Sequence, residues 1–270
     1  MIDLHCHILP GMDDGPATTE EALAMCRAAA ADGIRTIVAT PHFKPGTHQW
    51  TGDDLSRAVE LLNSELRSRG IPVGILPAAE VAVFPELLSV LARERFLTIN
   101  NSIYFLLEFR PYAVPAAWEA FLQSFLDAGM VPIIAHPERN AWFMSHPGAL
   151  MSAVRRGVMV QITAAGITGG LGPEVRAFSV RLLSHDMVHI IASDAHSPDL
   201  RPPLLADAVS LAADLIGTEK AHAMVTTTPA AVIAGRRIHL PESKGYAPTD
   251  GPNRGWLERL VRRKTCKRNS

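Results

Sequence analysis

Imidazole and carboxylate side chains stand at the ends of short apolar segments in this chain. The first segment runs into His5-Cys6-His7, and the last runs into Asp194-Ala195-His196. Because side chains alternate along a strand, the outer two residues of each triplet share one face and the middle residue points away. Imidazole and carboxylate ligands suit Zn²⁺, Mn²⁺ or Fe²⁺, and the absence of cysteine ligands disfavours a structural zinc site. The two triplets predict a metal site.

Four further apolar segments end in residues of the same kinds, which are Pro41-His42, Glu80, Glu108 and His136-Pro137-Glu138-Arg139. A single histidine or glutamate at a strand end is usually a structural residue. Burying this many carboxylates and imidazoles without a cation would be costly, however. The carboxyl ends of parallel strands meet at one place, so the sequence predicts that these distant residues converge.

The elements that would position these residues alternate between strand and helix patterns. Seven short apolar or β-branched runs are predicted strands: Ile2–His5, Thr36–Thr40, Val73–Ala78, Tyr104–Leu107, Val131–Ala135, Val158–Ile162 and His189–Ala192. Continuous apolar runs are typical of strands buried on both faces, and helical crossovers are typical of parallel neighbours. The pattern predicts a parallel α/β fold, but by itself it leaves both a closed barrel and an open doubly wound sheet possible.

Eight helices are predicted between and after these strands. The first is the best delimited, since Thr18 and Glu21 form a capping box and Gly33 stands where a helix favours a left-handed residue. The predicted ranges are Thr19–Asp32, Asp53–Arg69, Pro85–Glu94, Ala116–Asp127, His146–Arg156, Pro173–Ser184, Leu204–Leu215 and Thr218–Thr226. Four aromatic residues, Phe43, Trp50, Phe84 and Tyr112, are assigned to the core rather than to the rim of a site.

Composition and charge exclude several classes of protein. Apolar residues make up 47% of the 270 residues and charged residues 20%, which is enough to bury a large core. The net charge is −1, and residues 252–270 hold seven Lys/Arg against one Glu, so the preceding body is acidic. An acidic body lacks the basic footprint of a nucleic-acid binder. Residues 245–270 are predicted to be a basic, solvated tail with a short amphipathic piece at Trp256–Val261, or alternatively a docking segment.

The cysteines indicate a reducing compartment and exclude one phosphatase mechanism. Three widely spaced cysteines form neither a disulfide framework nor a Cys-x-x-Cys pair. With no signal-like leader and no apolar run long enough for a membrane span, we expect a cytoplasmic protein. Thiol-based tyrosine phosphatases need an arginine six residues after the cysteine. Met12 follows Cys6 at that spacing and Asp32 follows Cys26, so that mechanism is excluded.

The opening segment, Asp3-Leu4-His5-Cys6-His7-Ile8-Leu9-Pro10-Gly11-Met12-Asp13-Asp14-Gly15-Pro16, resembles the signature of the PHP (polymerase and histidinol phosphatase) superfamily. More narrowly, it resembles the bacterial PHP-type tyrosine phosphatases of capsule and exopolysaccharide loci. Further motifs continue the match, namely Thr40-Pro41-His42, Glu80, Leu107-Glu108, His136-Pro137-Glu138-Arg139-Asn140 and Ser193-Asp194-Ala195-His196. The resemblance covers about residues 1–240. It implies a distorted seven-stranded (β/α) barrel, with a phosphatase domain over residues 1–244.

The resemblance also implies a set of nine metal ligands for up to three divalent metals. The implied assignment is His5, His7, Glu80 and Asp194 for a first metal, Glu80, Glu108 and His136 for a second, and Asp14, His42 and His196 for a third. Mn²⁺ is the expected metal, although Fe²⁺ or Zn²⁺ would suit the same ligands. Arg139 and Arg201 are expected to neutralise the phosphoryl group. For Arg201 the alternative is an ordinary surface arginine.

The activity implied by the resemblance is hydrolysis of phosphotyrosine through in-line attack of a hydroxide that bridges two metals. The expected partner is a phosphorylated tyrosine autokinase that regulates polysaccharide export. Two alternatives stay open. The same fold could act on a small molecule such as histidinol phosphate, or the chain could be a non-catalytic binding module with a degenerate metal site.

Overall fold

A computed structural model of the chain describes residues 1–47 and 50–239. The expected tail, residues 245–270 with Trp256–Val261, lies outside the described residues. Nine strands occur in the described part of the chain, namely β1 (Ile2–Cys6), β2 (Thr36–Ala39), β3 (His42–Phe43), β4 (Gly74–Pro77), β5 (Glu80–Ala82), β6 (Tyr104–Glu108), β7 (Val131–Ala135), β8 (Met159–Thr163) and β9 (Ile190–Ala192).

Every strand pair is parallel, which confirms the predicted α/β class. The strands form two sheets, with orders β1-β2-β4 and β3-β5-β6-β7-β8-β9. The second and third predicted strands match β2 and β4, whereas the short strands β3 and β5 that follow them were not predicted. β2 and β3 are separated at Thr40-Pro41, and β4 and β5 at Ala78-Ala79. β3 and β5 pair in the other sheet.

The closed seven-stranded barrel expected from the family resemblance is not what the hydrogen bonding shows. Proline has no N–H group, so Pro41 cannot donate where β2 ends, although its carbonyl still accepts from Glu80 N–H at 3.2 Å. The two sheets meet where β1 passes the end of β9. There Cys6 forms an isolated parallel bridge with Ala195, His7 N–H donates to Ala195 O at 2.9 Å, and Asp194 N–H donates to His5 O at 2.8 Å.

Eleven α-helices occur in the described residues. Their bounds are α1 (Thr19–Ala31), α2 (Gly52–Ser68), α3 (Leu87–Arg93), α4 (Trp118–Asp127), α5 (Ala141–Ser145), α6 (Pro147–Arg155), α7 (Ala164–Thr168), α8 (Pro173–Ser184), α9 (Ala206–Ile216), α10 (Thr218–Ala223) and α11 (Thr227–Ile233). The eight predicted helices are all present within a few residues. The three that were missed, α5, α7 and α11, are five to seven residues long and show little periodicity.

Local capping explains why the two long N-terminal helices begin where they do. The predicted capping box of α1 is present: Glu21 N–H donates to Thr18 Oγ1 at 3.3 Å, and Thr18 N–H donates to the Glu21 carboxylate at 3.2 Å. Helix α2 has the same device in Thr51 and Asp54, so it begins one residue before the predicted start.

The core has two parts. The larger cluster of buried apolar residues packs the strands against the surrounding helices. The smaller cluster takes side chains from strands of both sheets and from α11, including Leu4, Val38, Leu106, Ile190 and Val232. Because this second cluster crosses between the sheets, apolar burial holds them together where hydrogen bonds do not.

Buried His189, just before β9, makes the stability of the fold depend on pH. Its Nδ1 accepts the Val160 N–H at 3.0 Å, while Nε2 is buried without a hydrogen-bond partner in the described part of the chain. Burial lowers the pKa of His189 to about 4. In the unfolded chain His189 is protonated below about pH 6.5, whereas in the folded chain it stays neutral down to about pH 4. The free energy of unfolding therefore falls as the pH drops from about 6.5 to about 4.

We predict that His189→Asn removes this component of the acid sensitivity, since asparagine can still accept the Val160 N–H but does not titrate. In the wild type this histidine should lower the free energy of unfolding at pH 5 by about 2 kcal/mol relative to pH 7.5. Urea unfolding from pH 4.5 to 7.5 measures the difference between the two proteins. Parallel pH profiles for the wild type and His189→Asn would contradict the prediction.

Candidate metal centre

The predicted strand-end residues converge at the carboxyl end of the strands. His5 lies in β1, His42 in β3, Glu80 in β5 and Glu108 at the end of β6. The remaining five follow a strand directly or lie in the loop after β1: His7, Asp14, His136, Asp194 and His196. The structure thus brings all nine predicted ligands into one cluster. Three sets within it each offer ligand atoms that lie within 4.8 Å of one another: His5 with His7 and Glu80; His42 with Glu80 and Glu108; His7 with Asp14, His42 and His196.

Two of these residues reach the cluster through an unusual backbone conformation. His136 has φ of +31° and Asp194 has φ of +52°, so both are left-handed where their strands end. Side chains other than glycine rarely adopt this conformation, and residues strained in this way cluster at active sites and ligand-binding positions. The sharp turn redirects each side chain from the strand end into the centre.

His5 and His7 face each other as two ligands of a common cation would. His5 Nδ1 donates to Gln161 Oε1 at 3.0 Å, and His7 Nδ1 donates to Asp13 Oδ2 at 2.5 Å. These bonds fix the tautomers, so the two Nε2 atoms, 3.2 Å apart, aim their lone pairs at one point. Asp194 Oδ1 lies 3.5 and 3.6 Å from the same two nitrogens. Ligand bonds of about 2.1 Å to one ion give separations of roughly 3.0–3.4 Å between ligand atoms, so the residues present fit a metal.

The charges around His7 suit a site for a cation. Burial would lower the pKa of His7, but hydrogen bonds and charge from Asp13 and Glu80 raise it to about 10. The two carboxylates thus favour positive charge at this position, and a histidine that binds a metal does so in its neutral form.

Glu80 is the centre of the cluster. Its side chain is 1% exposed, and its Oε1 lies 2.8 Å from His136 Nε2 and 3.4 Å from His5 Nε2. Its Oε2 lies 3.0 Å from His42 Nδ1 and 3.4 Å from His7 Nε2. Burial would raise the pKa of Glu80, but the charges of His5 and His136 lower it well below its ordinary value. The carboxylate is therefore ionised, with its two oxygens directed to opposite parts of the site.

The outer part of the cluster is more open to solvent. Asp14 is 62% exposed, and its Oδ1 lies 3.3 Å from His196 Nε2 and 3.6 Å from His42 Nε2. The His7 and His196 rings stack with centroids 3.9 Å apart. Burial and the neighbouring His7 charge lower the pKa of His196 to about 4, so its ring is neutral and able to bind a metal. His42 lies between this group and the carboxylates of Glu80 and Glu108.

Arg139 and Arg201 both lie against Asp194. Arg139 Nη1 and Arg201 Nη2 donate to Asp194 Oδ2, the latter at 2.6 Å, and Arg201 Nη2 also donates to the Asp194 carbonyl at 2.8 Å. Asp194 Oδ1 faces the histidines instead. Burial would raise the pKa of Asp194, but the charges of His5 and His136 outweigh it and give about 2. Arg201 is thus not an isolated surface residue, while the phosphate-binding role of both arginines stays a prediction.

A known protein family matches most of the chain. The family model described as "Capsular polysaccharide synthesis, CpsB/CapC" matches residues 1–234. The chain belongs to the CpsB/CapC family. The resemblance inferred from the sequence motifs is therefore confirmed at the level of the family.

Individual relatives of the CpsB/CapC family agree. The chain is 39% identical over 201 residues to the tyrosine-protein phosphatase YwqE of Bacillus subtilis, covering 74% of this chain and 79% of that protein. It is 31% identical over 210 residues to the putative tyrosine-protein phosphatase CapC of Staphylococcus aureus, covering 76% and 80%. A solved structure described as one of the "unique metal-dependent tyrosine phosphatases" YwqE and CpsB superposes with a TM-score of 0.87 and 34% identity, covering 92% of this chain and all of the other.

Residues that support the ligands were missed from the sequence. Asp13 accepts from His7 and also from the N–H groups of Gly15 and His42, at 3.0 and 2.9 Å. Gln161 accepts from His5, and Asp3 accepts from the Ser193 hydroxyl at 2.5 Å. The available signal was a polar residue inside an apolar strand, as in Val160-Gln161-Ile162.

Glu138 holds the turn that carries His136 and Arg139. It is fully buried, and its Oε1 accepts from both the backbone N–H and the hydroxyl of Thr163, each at 2.7 Å. Burial raises the pKa of Glu138. The short helical turn Pro137–Arg139 is therefore tied to the end of β8, which keeps two predicted site residues in place.

Two remaining expectations concern the surface of this CpsB/CapC protein. Phe43, Trp50 and Phe84 pack against the core cluster as predicted. Tyr112 is 86% exposed, so its assignment to the core was wrong. It lies in a proline-containing loop after β6 whose residues are mostly exposed. Among the described helices, none has the length and apolar character needed to cross a bilayer.

We predict that Asp13→Ala weakens binding of divalent metal about 10- to 100-fold, because His7 loses the partner that fixes its tautomer and orientation. Titration calorimetry of Mn²⁺ or Zn²⁺ into metal-stripped protein gives the affinity. Asp53→Ala is the matched control, since Asp53 is exposed in the first turn of α2, away from the cluster. Equal affinities for Asp13→Ala and the wild type, with the fold intact by circular dichroism, would show that Asp13 does not support the site.

Proposed function

We propose that this chain is a metal-dependent protein-tyrosine phosphatase. Its substrate would be phosphotyrosine on a tyrosine autokinase that regulates capsular or exopolysaccharide synthesis. The observation that carries the proposal is the convergence of nine predicted ligand side chains, with buried Glu80 at their centre. Two arginines at the edge of this cluster contact Asp194. The printed names of the relatives, which are tyrosine phosphatases, support the same activity.

The ligand assignment follows the family resemblance. His5, His7, Glu80 and Asp194 would hold the first metal. Glu80, Glu108 and His136 would hold the second, and Asp14, His42 and His196 the third. When bound, divalent ions supply a water of lowered pKa and positive charge for the phosphoryl oxygens. Mn²⁺ is the proposed metal because the family resemblance implies it, and the imidazole and carboxylate ligands would suit Fe²⁺ or Zn²⁺ as well.

The protein's own contribution to the reaction is orientation and charge. Glu80 keeps its two oxygens directed to opposite parts of the cluster, and His5 and His7 are fixed by Gln161 and Asp13. Arg139 and Arg201 would bind the phosphoryl group, because a guanidinium fork matches two phosphate oxygens. Asp194 holds both side chains in place before substrate arrives, so less conformational freedom is lost on binding. Phenol has a pKa of about 10, so the leaving group does not need a dedicated general acid.

The finer points of architecture belong to the same proposal. We infer that the two sheets are one distorted seven-stranded barrel, in which β2 with β3 and β4 with β5 count as two interrupted strands. The bridge between Cys6 and Ala195 supports this description. We also propose a phosphatase domain over residues 1–244, with residues 245–270 as a basic tail. A cytoplasmic location agrees with Cys6 and Cys26, which are buried free thiols.

The proposed activity predicts Mn²⁺-dependent phosphate release from a phosphotyrosine peptide by the metal-stripped protein. His136→Ala should lower the release at least about 100-fold, because a buried metal ligand beside Glu80 is lost. His222→Ala is the matched control, since His222 is exposed on α10. Histidinol phosphate is assayed in parallel.

Each alternative gives a distinct result in this assay. Turnover of histidinol phosphate with a silent peptide would assign the site to small-molecule metabolism. No turnover of either substrate with Mn²⁺, Fe²⁺ or Zn²⁺ would favour a non-catalytic binding module. Loss of activity in His222→Ala as large as in His136→Ala would contradict the ligand assignment.

The proposed role of Arg139 predicts that Arg139→Lys keeps the positive charge but loses the two-pronged contact with phosphate. We expect kcat/KM for the phosphotyrosine peptide to fall about 10²- to 10³-fold, as for removal of one preorganised donor. Arg156→Lys, an exposed position at the end of α6, is the control and should behave as the wild type. An Arg139→Lys enzyme with unchanged kcat/KM would rule out bidentate phosphate binding at this residue.

A further inference from the structure

A large cavity adjoins the reaction centre on the side of Arg201. Its volume is about 430 Å³, and its walls come from α7, the first turn of α9 and the loop that follows His196. Asp194 and Arg201 form part of the wall, so the cavity adjoins the cluster described above. None of the nine predicted ligands except Asp194 lines it. A phosphoryl group at the arginines would therefore leave this space for another part of the substrate.

Most of the cavity wall is apolar or small. The residues of this kind are Ala164, Ala165, Gly170, Leu171, Leu200, Pro202, Leu204 and Ala208. Leu200 is 90% exposed and Leu204 44% exposed, and they are two of the four large apolar side chains that are exposed in the described residues. One exposed leucine needs no explanation, but two on the rim of a cavity beside a reaction centre mark a surface that an apolar group can cover.

The loop after His196 presents Leu200 outward through a set of backbone hydrogen bonds. Ser197 Oγ accepts from the N–H groups of Leu200 and Arg201, at 3.2 and 3.0 Å. The N–H of His196 donates to Arg201 O at 3.0 Å. This tight turn directs the Arg201 side chain inward to Asp194, while the preceding side chain, Leu200, lies at the rim.

The two carboxylates in the wall besides Asp194 do not make the cavity a cation site. Asp32 Oδ2 accepts from the N–H groups of Leu205 and Ala206, at 2.6 and 3.0 Å, and so caps the start of α9. Asp207 lies in the first turn of α9, where the positive end of the helix dipole offsets its charge. The surface left for a ligand is therefore the apolar part of the wall.

We infer that this cavity is the subsite for an apolar side chain next to the phosphotyrosine in the substrate peptide, with Leu200 and Leu204 as its specificity-determining residues. The inference rests on the proposed phosphatase function and refines its substrate. The tyrosyl ring separates the phosphate from the peptide backbone, so an extended peptide passes over the outer edge of the site. A flanking residue, whose Cα is about 3.8 Å further along the chain, would enter the cavity over its rim, where Leu200 and Leu204 lie. Burying an aliphatic or aromatic group against two leucines favours peptides that carry one there.

The test uses the metal-loaded full chain and phosphotyrosine peptides in which the residue on either side is Gly, Leu, Phe, Lys or Glu. At one of the two flanking positions, kcat/KM with Leu or Phe should exceed that with Gly by about tenfold. In Leu200→Ser and Leu204→Ser this preference should fall to about threefold or less. Leu61→Ser is the matched control, because Leu61 is 63% exposed on α2 and does not line the cavity.

Two further measurements separate this inference from the proposed function. Phenyl phosphate has no flanking residue, so Leu200→Ser should lower kcat/KM less for phenyl phosphate than for the Leu peptide. An equal decrease for the two substrates would mean that the cavity holds the tyrosyl ring, and would overturn the inference.

The second measurement is binding of the same peptides with a non-hydrolysable phosphonate in place of the phosphate, followed by fluorescence anisotropy. A preference for Leu and Phe in binding supports the subsite even if hydrolysis, and with it the proposed function, fails. Equal use of all five residues, or a preference for Lys, overturns it.

Discussion

The buried carboxylate of Glu80 is the constraint on which the arrangement of the site depends. Four imidazoles, from His5, His7, His42 and His136, approach its two oxygens within 3.4 Å. A carboxylate that is 1% exposed would be strongly destabilising without compensating positive charge. Divalent ions held by the surrounding imidazoles and carboxylates would supply that charge. The strand ends must therefore keep these side chains converged, whichever cation is present.

The pairing of the strands places His42 beside this carboxylate. β3 and β5 pair with His42 directly opposite Glu80, and β2 and β4 pair in the same register before the interruptions at Thr40-Pro41 and Ala78-Ala79. The register is therefore kept across the interruptions, and it brings a histidine and a glutamate side by side at the centre. Ala78 N–H donates to Ala39 O at 3.0 Å and Glu80 N–H donates to Pro41 O at 3.2 Å, so backbone hydrogen bonds bridge the gap, while apolar packing joins the two sheets.

Much of this could be predicted from the sequence, for identifiable reasons. Parallel strands share one carboxyl end, so His136 and Asp194 could be placed together although they are distant in the chain. The capping box of α1 is a local signal and was equally accessible. β3 and β5 were missed because they are only two and three residues long and depend on which neighbour each pairs with, which is a tertiary property. Gln161 and Asp13 were missed because a polar residue beside or within an apolar run does not reveal its partner.

In the proposed function, the contacts of Asp194 connect the metal cluster to the recognition of substrate. Its Oδ1 faces the histidines, whereas its Oδ2 accepts from both arginines, so one side chain would position groups for the two halves of the proposed reaction. Because Arg201 is turned inward by the same hydrogen-bonded loop that leaves Leu200 at the rim, one structural unit would set both the proposed phosphate position and that of a flanking side chain. A loop fixed in this way can discriminate between peptides with little loss of conformational entropy on binding. Selectivity for a flexible tyrosine-containing segment then does not require a deep enclosed site.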